Sequence, residues 1–251
     1  MTNTAPIAII TGASRGIGAA TARRLAADGF DICINFRSNE DAAAQVAEEV
    51  NQLGRKALLV QSDVSTQNGV STLFDAVDDQ LGTPSALVNN VGVLFTQCRL
   101  TDLTEERINR VLITNVTSAF LCCREAVLRM SSKRGGSGGA IVNVSSAAAR
   151  LGSPNEYVDY AASKGAMDAM TIGLAKEVAD EGIRVNAVRP GLIHTDIHAD
   201  GGEPGRVERL QSALPLQRGG QPEEVAAAIA WLLSDESSYT TGSFIEVAGG
   251  R

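Results

Sequence analysis

The sequence is poor in positive charge. Its 251 residues include 22 Lys and Arg against 29 Asp and Glu, which gives a net charge of -7 and a pI near 5.0. The basic residues do not gather into a stripe, so the charge pattern argues against nucleic-acid binding. The sequence also lacks a run approaching the ~18 apolar residues of a membrane span, and residues 1–7 lack the segments of a signal peptide. We therefore expect neither membrane insertion nor export.

Cysteine motifs and interdomain linkers are absent as well. The four cysteines show no CxxC or Cys/His ligand spacing, and Cys122 and Cys123 lie within an apolar helical pattern. We interpret them as reduced thiols of a cytoplasmic protein. No Pro/Ser-rich linker or charge block interrupts the chain, so we expect one α/β domain over residues 1–251.

The first feature that is present is a strand, a glycine loop and a helix in succession. Residues 7–11 form a short apolar run, residues 12–18 read Gly-Ala-Ser-Arg-Gly-Ile-Gly, and a helical pattern continues through Asp28. Glycines allow close backbone approach, and a helix N-terminus offers unpaired N–H groups to a pyrophosphate. The arrangement predicts a phosphate cradle; the alternative is a tight turn whose glycines serve packing alone.

Strand and helix patterns alternate after this loop. Further strands are predicted at residues 31–36, 56–61, 86–89, 140–144, 183–188 and 243–247, and helices at 40–53, 68–81, 105–130, 157–181 and 222–233. Such alternation predicts a parallel sheet covered by helices on both faces, with ligand bound at the carboxyl ends of the strands. Residues 195–214, rich in Gly and polar residues, resemble a mobile lid.

The end of the second strand indicates which dinucleotide fits the cradle. About 20 residues past the glycine loop, an NAD site would present Asp or Glu to the ribose 2′-hydroxyl. The sequence has Asn35-Phe36-Arg37-Ser38 there, without an acid. Arg37, and Arg15 inside the glycine loop, can instead pair with a 2′-phosphate, which suits a guanidinium. We therefore predict that NADP(H) is preferred over NAD(H).

Two polar residues mark the long helical pattern at residues 105–130. Thr104 precedes the pattern as a candidate N-cap. Asn115 lies in its middle, where a short amide competes for backbone hydrogen bonds. Asn115 therefore either faces solvent or marks a local kink with a functional purpose.

A tyrosine and a lysine lie four residues apart in the segment Tyr160-Ala-Ala-Ser-Lys164. On a helix this spacing places the two side chains on one face, one turn apart. A nearby ammonium favours the phenolate, so Lys164 is expected to ease proton transfer to or from Tyr160. The alternative for an isolated pair of this kind is a surface tyrosine beside a solvated lysine.

Taken together, these pieces resemble the short-chain dehydrogenase/reductase family. The residues that carry the resemblance are Thr11–Gly18, Asp63-Val64, Asn89–Gly92, Asn115, Ser145-Ser146, Tyr160, Lys164 and Arg189–Gly191. The likeness covers the chain from Ile7 to Gly250. It implies a single-domain Rossmann fold, in which a doubly wound parallel sheet of seven strands carries helices on both faces.

The resemblance also implies catalytic roles for four residues. Tyr160 would be the acid/base, and Lys164 would bind the nicotinamide ribose and lower the pKa of the phenol. Ser146 would hydrogen-bond the substrate oxygen. Asn115 would hold a water molecule that links Lys164 to a proton relay.

A larger set of residues is implied to hold the cofactor. Asp63 and Val64 would contact adenine, Asn90 the cofactor ribose, and Ile193 and Thr195 the nicotinamide carboxamide. The full predicted set is Gly12, Ser14, Arg15, Gly16, Ile17, Gly18, Asn35, Arg37, Ser38, Asp63, Val64, Asn90, Gly92, Tyr160, Lys164, Pro190, Gly191, Ile193 and Thr195.

The sequence departs from the family pattern at two places. Val91 stands where alanine is usual, which adds two methyl groups near the floor of the cofactor pocket. The spacing from Ser146 to Tyr160 is one residue longer than the commonest spacing, so Ser145 is an alternative to Ser146 as the substrate-binding serine. We prefer Ser146, because the extra residue fits in the loop 152–156.

Three further side chains have open roles. Tyr157 is either a wall of the substrate pocket or a packing residue. His194 and His198 have helical metal-ligand spacing but no third ligand cluster, so we interpret them as solvated or substrate-facing and predict no metal.

The reaction implied is hydride transfer between NADP(H) and a small carbonyl or secondary alcohol substrate. One alternative is an NAD(P)-linked sugar dehydrogenase such as the glucose 1-dehydrogenases, to which residues 152–165 are similar. Another is a non-catalytic dinucleotide-binding sensor. Apolar faces on the helices at 105–130 and 157–181 predict a homotetramer or homodimer.

Overall fold

The computed structural model describes residues 5–251; residues 1–4, part of the N-terminal segment considered above, lie outside the described residues. The strands are β1 (Ile7–Ile10), β2 (Asp31–Phe36), β3 (Ala57–Gln61), β4 (Ala86–Asn89), β5 (Gly139–Val144), β6 (Ile183–Pro190) and β7 (Phe244–Val247). The helices are α1 (Gly16–Ala27), α2 (Glu40–Gln52), α3 (Gln67–Gln80), α4 (Glu105–Leu112), α5 (Ser118–Met130), α6 (Ala148–Leu151), α7 (Val158–Glu177), α8 (Ile197–Asp200), α9 (Arg206–Leu210) and α10 (Pro222–Leu233).

The seven strands form one parallel sheet in the order β3-β2-β1-β4-β5-β6-β7. Adjacent side chains of a strand point to opposite faces, so β1 sends Ala8 and Ile10 into one core and Ile7 and Ile9 into the other. Both faces are covered by helices, which explains why the inner strands are apolar throughout. The predicted fold class, a doubly wound parallel sheet of seven strands in one domain, is confirmed.

The strand order reverses between β1 and β4. From β1 the chain proceeds outward to β2 and β3, then returns to place β4 on the other side of β1. Loops that leave the carboxyl ends of β1 and β4 therefore diverge and leave a crevice, which is where doubly wound sheets bind ligands.

The long helical pattern at residues 105–130 is not one α-helix. Thr104 caps α4 by accepting a 3.2 Å hydrogen bond from the Arg107 amide, as predicted. Residues Ile113–Thr117 then form a π-helical turn that separates α4 from α5. This turn contains Asn115, which is buried, so the α-helix is interrupted at this residue and the solvent-facing alternative is wrong.

The same stretch corrects one expectation from the sequence. By length and composition, Glu105–Met130 is apolar enough to span a membrane, although no such run was expected. In this fold α5 packs against α3 and strands β4 and β5, with Cys122, Cys123 and Met130 buried. Its apolar composition therefore serves the core on one face.

The expected lid at residues 195–214 contains two short helices, α8 and α9. The lid differs from the prediction in one respect, since two of its residues, Arg206 and Val207, are buried. His198 is buried as well. Part of the lid therefore packs against the rest of the fold, and residues 195–198 and Arg206 line the crevice.

Candidate active site

A cleft of about 480 Å³ opens at the carboxyl ends of the strands. The glycine loop lies along one part of it, and Ser146, Tyr160 and Lys164 lie along another. Every residue of the predicted cofactor-binding set lines the cleft except Gly18. The fold therefore gathers a set of residues that is spread over most of the chain.

Gly18 lies below the cleft surface, at the place where α1 packs against the glycine loop. A Cβ atom at this position would lie 2.5 Å from the Gly12 carbonyl oxygen and 2.6 Å from Asn90 Nδ2. Only glycine allows α1 to approach the loop so closely. Gly12, with φ of +63°, adopts a left-handed conformation that also favours glycine. The loop thus has the shape of a cradle at the N-terminus of α1, where a pyrophosphate is stabilised.

Two amides predicted to contact the cofactor are used to hold this cradle. Asn35 donates a 3.0 Å hydrogen bond to Ser62 Oγ and accepts from the Gly12 amide at 3.4 Å. Asn90 Nδ2 donates to the carbonyl oxygens of Thr11 and Gly12 at 2.9 and 3.0 Å. Both residues line the cleft, but the hydrogen bonds of these amide groups shape the loop.

The arginine of the glycine loop is paired with the lid. The Arg15 guanidinium forms salt bridges with Asp200 and, at 3.7 Å, with Asp196. All three side chains are about half exposed, so this interaction is weak, about 0–1 kcal/mol. Arg15 therefore lies at the mouth of the cleft with partners that an anion can displace.

Arg37, the second residue predicted to bind the 2′-phosphate, directly follows the end of β2. Arg37 and Ser38 line the cleft, and the positive charge of Arg37 acts on Asp63. Burial tends to raise the pKa of Asp63, but hydrogen bonds from Ser65 and the charge of Arg37 together lower it. Asp63 is thus held as a carboxylate at the edge of the cleft.

Tyr160 and Lys164 lie one turn apart on α7, as the spacing predicts. Lys164 Nζ is 5.7 Å from the centre of the Tyr160 ring and donates a 2.8 Å hydrogen bond to the Val144 carbonyl oxygen. Burial lowers the pKa of Lys164 to about 8. Burial also raises the pKa of Tyr160 to about 12, and a hydrogen bond with Ser146 offsets part of this effect.

These pKa values differ from the expectation that Lys164 lowers the pKa of the phenol. Desolvation is the largest influence on both groups: the Lys164 side chain is buried, and Tyr160 is partly buried where it lines the cleft. At neutral pH, Tyr160 is therefore a phenol and a proton donor. The surface alternative for this pair is wrong, since Lys164 is only 2% exposed.

The two adjacent serines at the end of β5 have different surroundings. Ser145 is buried, and its hydroxyl donates to Asp168 Oδ1 at 2.6 Å. Ser146 lies in the cleft beside Tyr160, and its Oγ accepts a 3.1 Å hydrogen bond from the Ala148 amide. This geometry favours Ser146 as the substrate-binding serine.

Asn115 connects the loop after β4 to helix α7. Its Oδ1 accepts from the Val93 amide at 2.8 Å, and its Nδ2 donates to the Val93 carbonyl oxygen and to Ser163 Oγ, both at 3.0 Å. Ser163 in turn donates to the Tyr160 carbonyl oxygen at 2.7 Å. The Asn115 side chain is buried, and its hydrogen bonds hold these two segments together.

Sequence reasoning missed the acid that lies beneath the site. Asp168, one turn after Lys164 on α7, accepts hydrogen bonds from Ser145 and from Arg189 Nε and Nη2 at 3.0 and 2.8 Å. Arg189 also pairs with Glu246 on β7 at 2.8 Å. The i,i+4 spacing of Lys164 and Asp168 was a visible signal, because it places both on one helix face.

A histidine contacts the loop that contains Ile193, one of the two residues predicted to bind the nicotinamide carboxamide. His198 Nε2 lies 3.1 Å from the Ile193 carbonyl oxygen, and burial lowers the pKa of His198. The neutral ring therefore donates from Nε2 and supports the loop that contains Ile193. His194 points elsewhere, 3.7 Å from Glu208, and no group of three metal-ligating side chains occurs within residues 5–251.

Tyr157 and Val91, two further residues considered in the sequence, both line the cleft. Tyr157 is both a wall and a packing residue, since it lines the cleft and is only 5% exposed. Val91 lines the cleft floor, and its Cγ2 would lie 3.1 Å from a Cβ atom at Gly12. The extra methyl groups of Val91 therefore pack against the glycine loop.

Comparisons with known proteins agree with this geometry. A family profile described as enoyl-(acyl carrier protein) reductase matches residues 12–251. The chain is 62% identical to the uncharacterized oxidoreductase YgfF of Escherichia coli, over 98% of this chain and 99% of that protein. It is 37% identical to glucose 1-dehydrogenase 2 of Bacillus subtilis, over 98% and 95% of the two chains.

Solved structures show the same similarity. A short-chain type dehydrogenase/reductase from Mycobacterium marinum superposes with a TM-score of 0.91 at 34% identity, covering 98% of this chain and 94% of that chain. A short chain dehydrogenase from Burkholderia cenocepacia in complex with NADP gives a TM-score of 0.88 at 33% identity, with coverages of 98% and 97%. The chain therefore belongs to the short-chain dehydrogenase/reductase family of oxidoreductases.

Proposed function

We propose that this protein transfers a hydride between NADP(H) and a carbonyl or secondary alcohol substrate, with Tyr160 as the general acid/base. One observation carries the proposal. The hydroxyls of Tyr160 and Ser146 and the ammonium of Lys164 lie together in the cleft that also contains the glycine cradle. A dinucleotide held by that cradle and a substrate oxygen held by the two hydroxyls would occupy one continuous space.

The residues present fit a dinucleotide. The cradle at the N-terminus of α1 is shaped by close approach at Gly18, which a Cβ atom would obstruct. It would hold the pyrophosphate, while Asp63 and Val64 would contact adenine and Lys164 the nicotinamide ribose. Ile193 and Thr195 would hold the carboxamide. When bound, the cofactor supplies the hydride chemistry, and the protein supplies orientation and proton transfer.

The preference for the phosphorylated cofactor rests on charge. Arg15, Arg37 and Ser38 line the adenosine side of the cleft, and β2 ends without an acid at Asn35-Phe36. Two guanidinium groups can pair with a 2′-phosphate, whereas neither is needed for a free 2′-hydroxyl. The solved relative from Burkholderia cenocepacia is in complex with NADP, which supports the same choice.

The proton chemistry follows from the surroundings of Tyr160. With its pKa raised to about 12 by burial, the phenol keeps its proton at neutral pH and can donate it to a substrate oxygen during reduction. The Ser146 hydroxyl supplies a second donor to the same oxygen, which stabilises developing negative charge. In oxidation the base is the phenolate of Tyr160, which takes the proton of the substrate hydroxyl and becomes the phenol, and the ammonium of Lys164 favours formation of that phenolate.

Asn115 is proposed to complete the proton path. A Cβ atom at Gly92 would lie 3.4 Å from Lys164 Nζ and 3.8 Å from Asn115 Oδ1, so the two side chains approach each other at this glycine. A water held there would connect Lys164 to solvent. The hydrogen bonds of Asn115 to Val93 and Ser163 keep this region in place.

The assembly and the compartment are also proposals. Apolar side chains are exposed on the helical stretch 105–130, where Ile113 is 46% and Phe120 52% exposed, and on α7, where Ile172 is 41% exposed. Covering these faces by pairing identical subunits would give a homotetramer, or a homodimer, in the cytoplasm. No membrane and no nucleic acid are needed for the function proposed.

The decisive experiment is a panel of ketones, aldehydes, secondary alcohols and sugars, assayed with NADPH or NADP and repeated with NADH or NAD. We expect turnover that Tyr160→Phe reduces by about 10²–10⁴-fold, the usual contribution of a general acid/base. The dissociation constant for NADPH, measured by fluorescence titration, should remain similar. NADPH binding without turnover of any compound would favour a non-catalytic dinucleotide sensor. A Tyr160→Phe variant with wild-type rates would refute the mechanism.

A further inference from the structure

A buried arginine joins the lid to the loop before the catalytic helix. Arg206, the first residue of α9, has a side chain that is only 6% exposed. Its Nη2 donates to Glu156 Oε2 at 2.5 Å and its Nη1 to Glu203 Oε2 at 2.9 Å. A buried guanidinium of this kind is retained only when carboxylates compensate for its lost hydration.

The cluster extends to a third segment. The Arg206 guanidinium lies 5.0 Å from the centre of the Tyr157 ring. The Tyr157 hydroxyl accepts a 3.0 Å hydrogen bond from Gln97 Nε2, and Gln97 also donates to Glu203. The cluster therefore ties together the loop after β4, the loop before α7 and the lid.

Only part of this cluster faces the cleft. Glu156, Tyr157 and Arg206 line it together with Tyr160, whereas Gln97 and Glu203 do not. Within residues 5–251, Glu156 Oε1 has no hydrogen-bond partner, and the Glu156 side chain is 27% exposed. The cleft wall thus offers an uncommitted acceptor beside a guanidinium donor.

The backbone fixes Glu156 in this position. Its amide donates to the Ser153 carbonyl oxygen at 3.2 Å, and its carbonyl oxygen accepts from the Cys98 amide at 3.1 Å. Ser153 and Asn155 have φ values of +45° and +61°, which non-glycine residues seldom adopt. Strained backbone of this kind persists where the surroundings impose it, and functional sites are common among such places.

The charges of the cluster decide which substrates the wall accepts. Glu156 and Glu203 are balanced by Arg206 and by Arg209, which pairs with Glu203. A substrate carboxylate or phosphate at this wall would meet the charge of Glu156. An alkyl chain would remove water from that carboxylate and offer nothing in exchange, which is costly. A hydroxyl group can donate to Glu156 and accept from Arg206.

We propose that Glu156 and Arg206 are specificity-determining residues that select a neutral, polyhydroxylated substrate. Hydroxyl groups other than the reacting one would bind this pair while Tyr160 and Ser146 hold the reacting oxygen. The inference rests on the hydride-transfer function proposed above. It assigns to the substrate wall a recognition role that the proton chemistry does not require.

The test compares Glu156→Gln with Glu203→Gln. Both changes keep the shape and remove one carboxylate from Arg206, but only Glu156 lines the cleft. Cyclohexanol, cyclohexane-1,2-diol and glucose serve as probes, each oxidised with NADP. For the wild type we expect kcat/KM for the hydroxylated probes to exceed that for cyclohexanol by about 10-fold or more, because unpaired buried polar groups reject apolar analogues.

In Glu156→Gln, KM for the diol and for glucose should rise about 10-fold with kcat little changed, since a charged hydrogen bond becomes a neutral one. KM for cyclohexanol should fall, because a neutral amide costs less to desolvate than a carboxylate. Glu203→Gln should leave the ratio between probes unchanged. Diol binding to Tyr160→Phe with NADP, measured by calorimetry, should weaken by a similar factor when Glu156→Gln is added.

Three results would overturn the proposal. The first is a wild type that prefers cyclohexanol, and the second is an equal loss in the two variants, which would mean that the cluster only anchors the lid. The third is turnover of simple ketones without turnover of the diol or glucose, which would leave the hydride-transfer function intact. Failure of the function itself has a different signature, namely no turnover of any compound in the whole panel.

Discussion

The Ser145 hydroxyl donates a buried 2.6 Å hydrogen bond to Asp168, and this bond separates the roles of two adjacent serines. Asp168 also receives the guanidinium of Arg189, so the Ser145 side chain belongs to a polar layer beneath the site. Ser146 is therefore the serine that we propose binds the substrate, because its hydroxyl lies in the cleft beside Tyr160.

Ser146→Ala and Ser145→Ala should therefore have opposite profiles. Loss of the Ser146 hydroxyl removes a donor to the substrate oxygen, so kcat should fall by about 10²-fold with little change in Tm. Loss of the Ser145 hydroxyl deprives a buried carboxylate of a hydrogen bond, so stability should fall by about 1.5–3 kcal/mol while kcat changes less. Steady-state kinetics and thermal unfolding of both variants check this. A larger kcat loss in Ser145→Ala would reverse the assignment.

Asp168→Ala should be among the most destabilising changes in the chain. It removes one of the two carboxylates that pair with the Arg189 guanidinium, which is only 16% exposed, and also the acceptor of the buried Ser145 hydroxyl. We expect a cost of about 3 kcal/mol, the low end of the range for a broken buried pair, because Glu246 still pairs with Arg189. In a domain of this size each kcal/mol lowers Tm by about 2–4 °C. Asp75→Ala is the matched control, since Asp75 is 69% exposed in its salt bridge with Arg129 and should cost about 0–1 kcal/mol. Similar Tm values for the two variants would contradict the role of the buried pair.

Lys164 should give the enzyme a pH limit near 8. Burial lowers the pKa of its ammonium to about 8, so the charge that we propose holds the cofactor ribose is lost as pH rises through that value. We expect kcat/KM for reduction to decline above pH 8. In Lys164→Arg, whose side chain keeps its charge, any remaining activity should lack this decline. A wild-type profile that is flat to pH 10 would exclude titration of Lys164.

The pKa shifts of Lys164 and Tyr160 predict how the free energy of unfolding depends on pH. The pKa of Lys164 is about 8 in the folded state and 10.5 ordinarily, so the unfolded chain binds more protons between these values and the Lys164 contribution rises with pH. Tyr160, whose pKa is raised from 10.0 to about 12, contributes stability that is lost as pH rises from 10 to 12. In denaturant unfolding at pH 8–10, Lys164→Met should lack the upward contribution, and an unchanged slope would contradict it.

Sequence patterns predicted the fold and the position of the cleft at the carboxyl ends of the strands, because both depend on local signals. Alternating apolar runs identify the strands, and the glycines at 12–18 identify the cradle. Asn115 was recognisable as a break because a short amide is a poor residue for a helix interior. Its π-helical form was not predictable, since it depends on the contacts of Asn115 with Val93 and Ser163.

The parts of the site that sequence reasoning missed join distant segments. Arg15 pairs with Asp200 across 185 residues, and Arg206 pairs with Glu156 across 50 residues. No periodicity relates such residues, because their proximity depends on how the lid folds back over the sheet. The direction of the Tyr160 pKa was not predictable either, since the charge of Lys164 was visible in the sequence but the desolvation of the two groups was not.

The pairing of Arg15 with the lid suggests a test of cofactor preference that separates the two arginines. Arg37→Ala should weaken NADPH binding by about 10-fold or more and leave NADH binding nearly unchanged, because hydrogen bonds to charged groups contribute about 1.5–3 kcal/mol. Arg15→Ala should act in the same direction.

Asp200→Asn should instead strengthen NADPH binding about 2–5-fold, because it frees Arg15 from an exposed salt bridge worth about 0–1 kcal/mol. Fluorescence titration with both cofactors measures these changes, and Glu208→Gln, a lid change at a residue paired with His194, serves as the control. Equal losses for NADPH and NADH in Arg37→Ala would remove the 2′-phosphate role, whereas an unchanged affinity in Asp200→Asn would show that the lid carboxylate does not compete for Arg15.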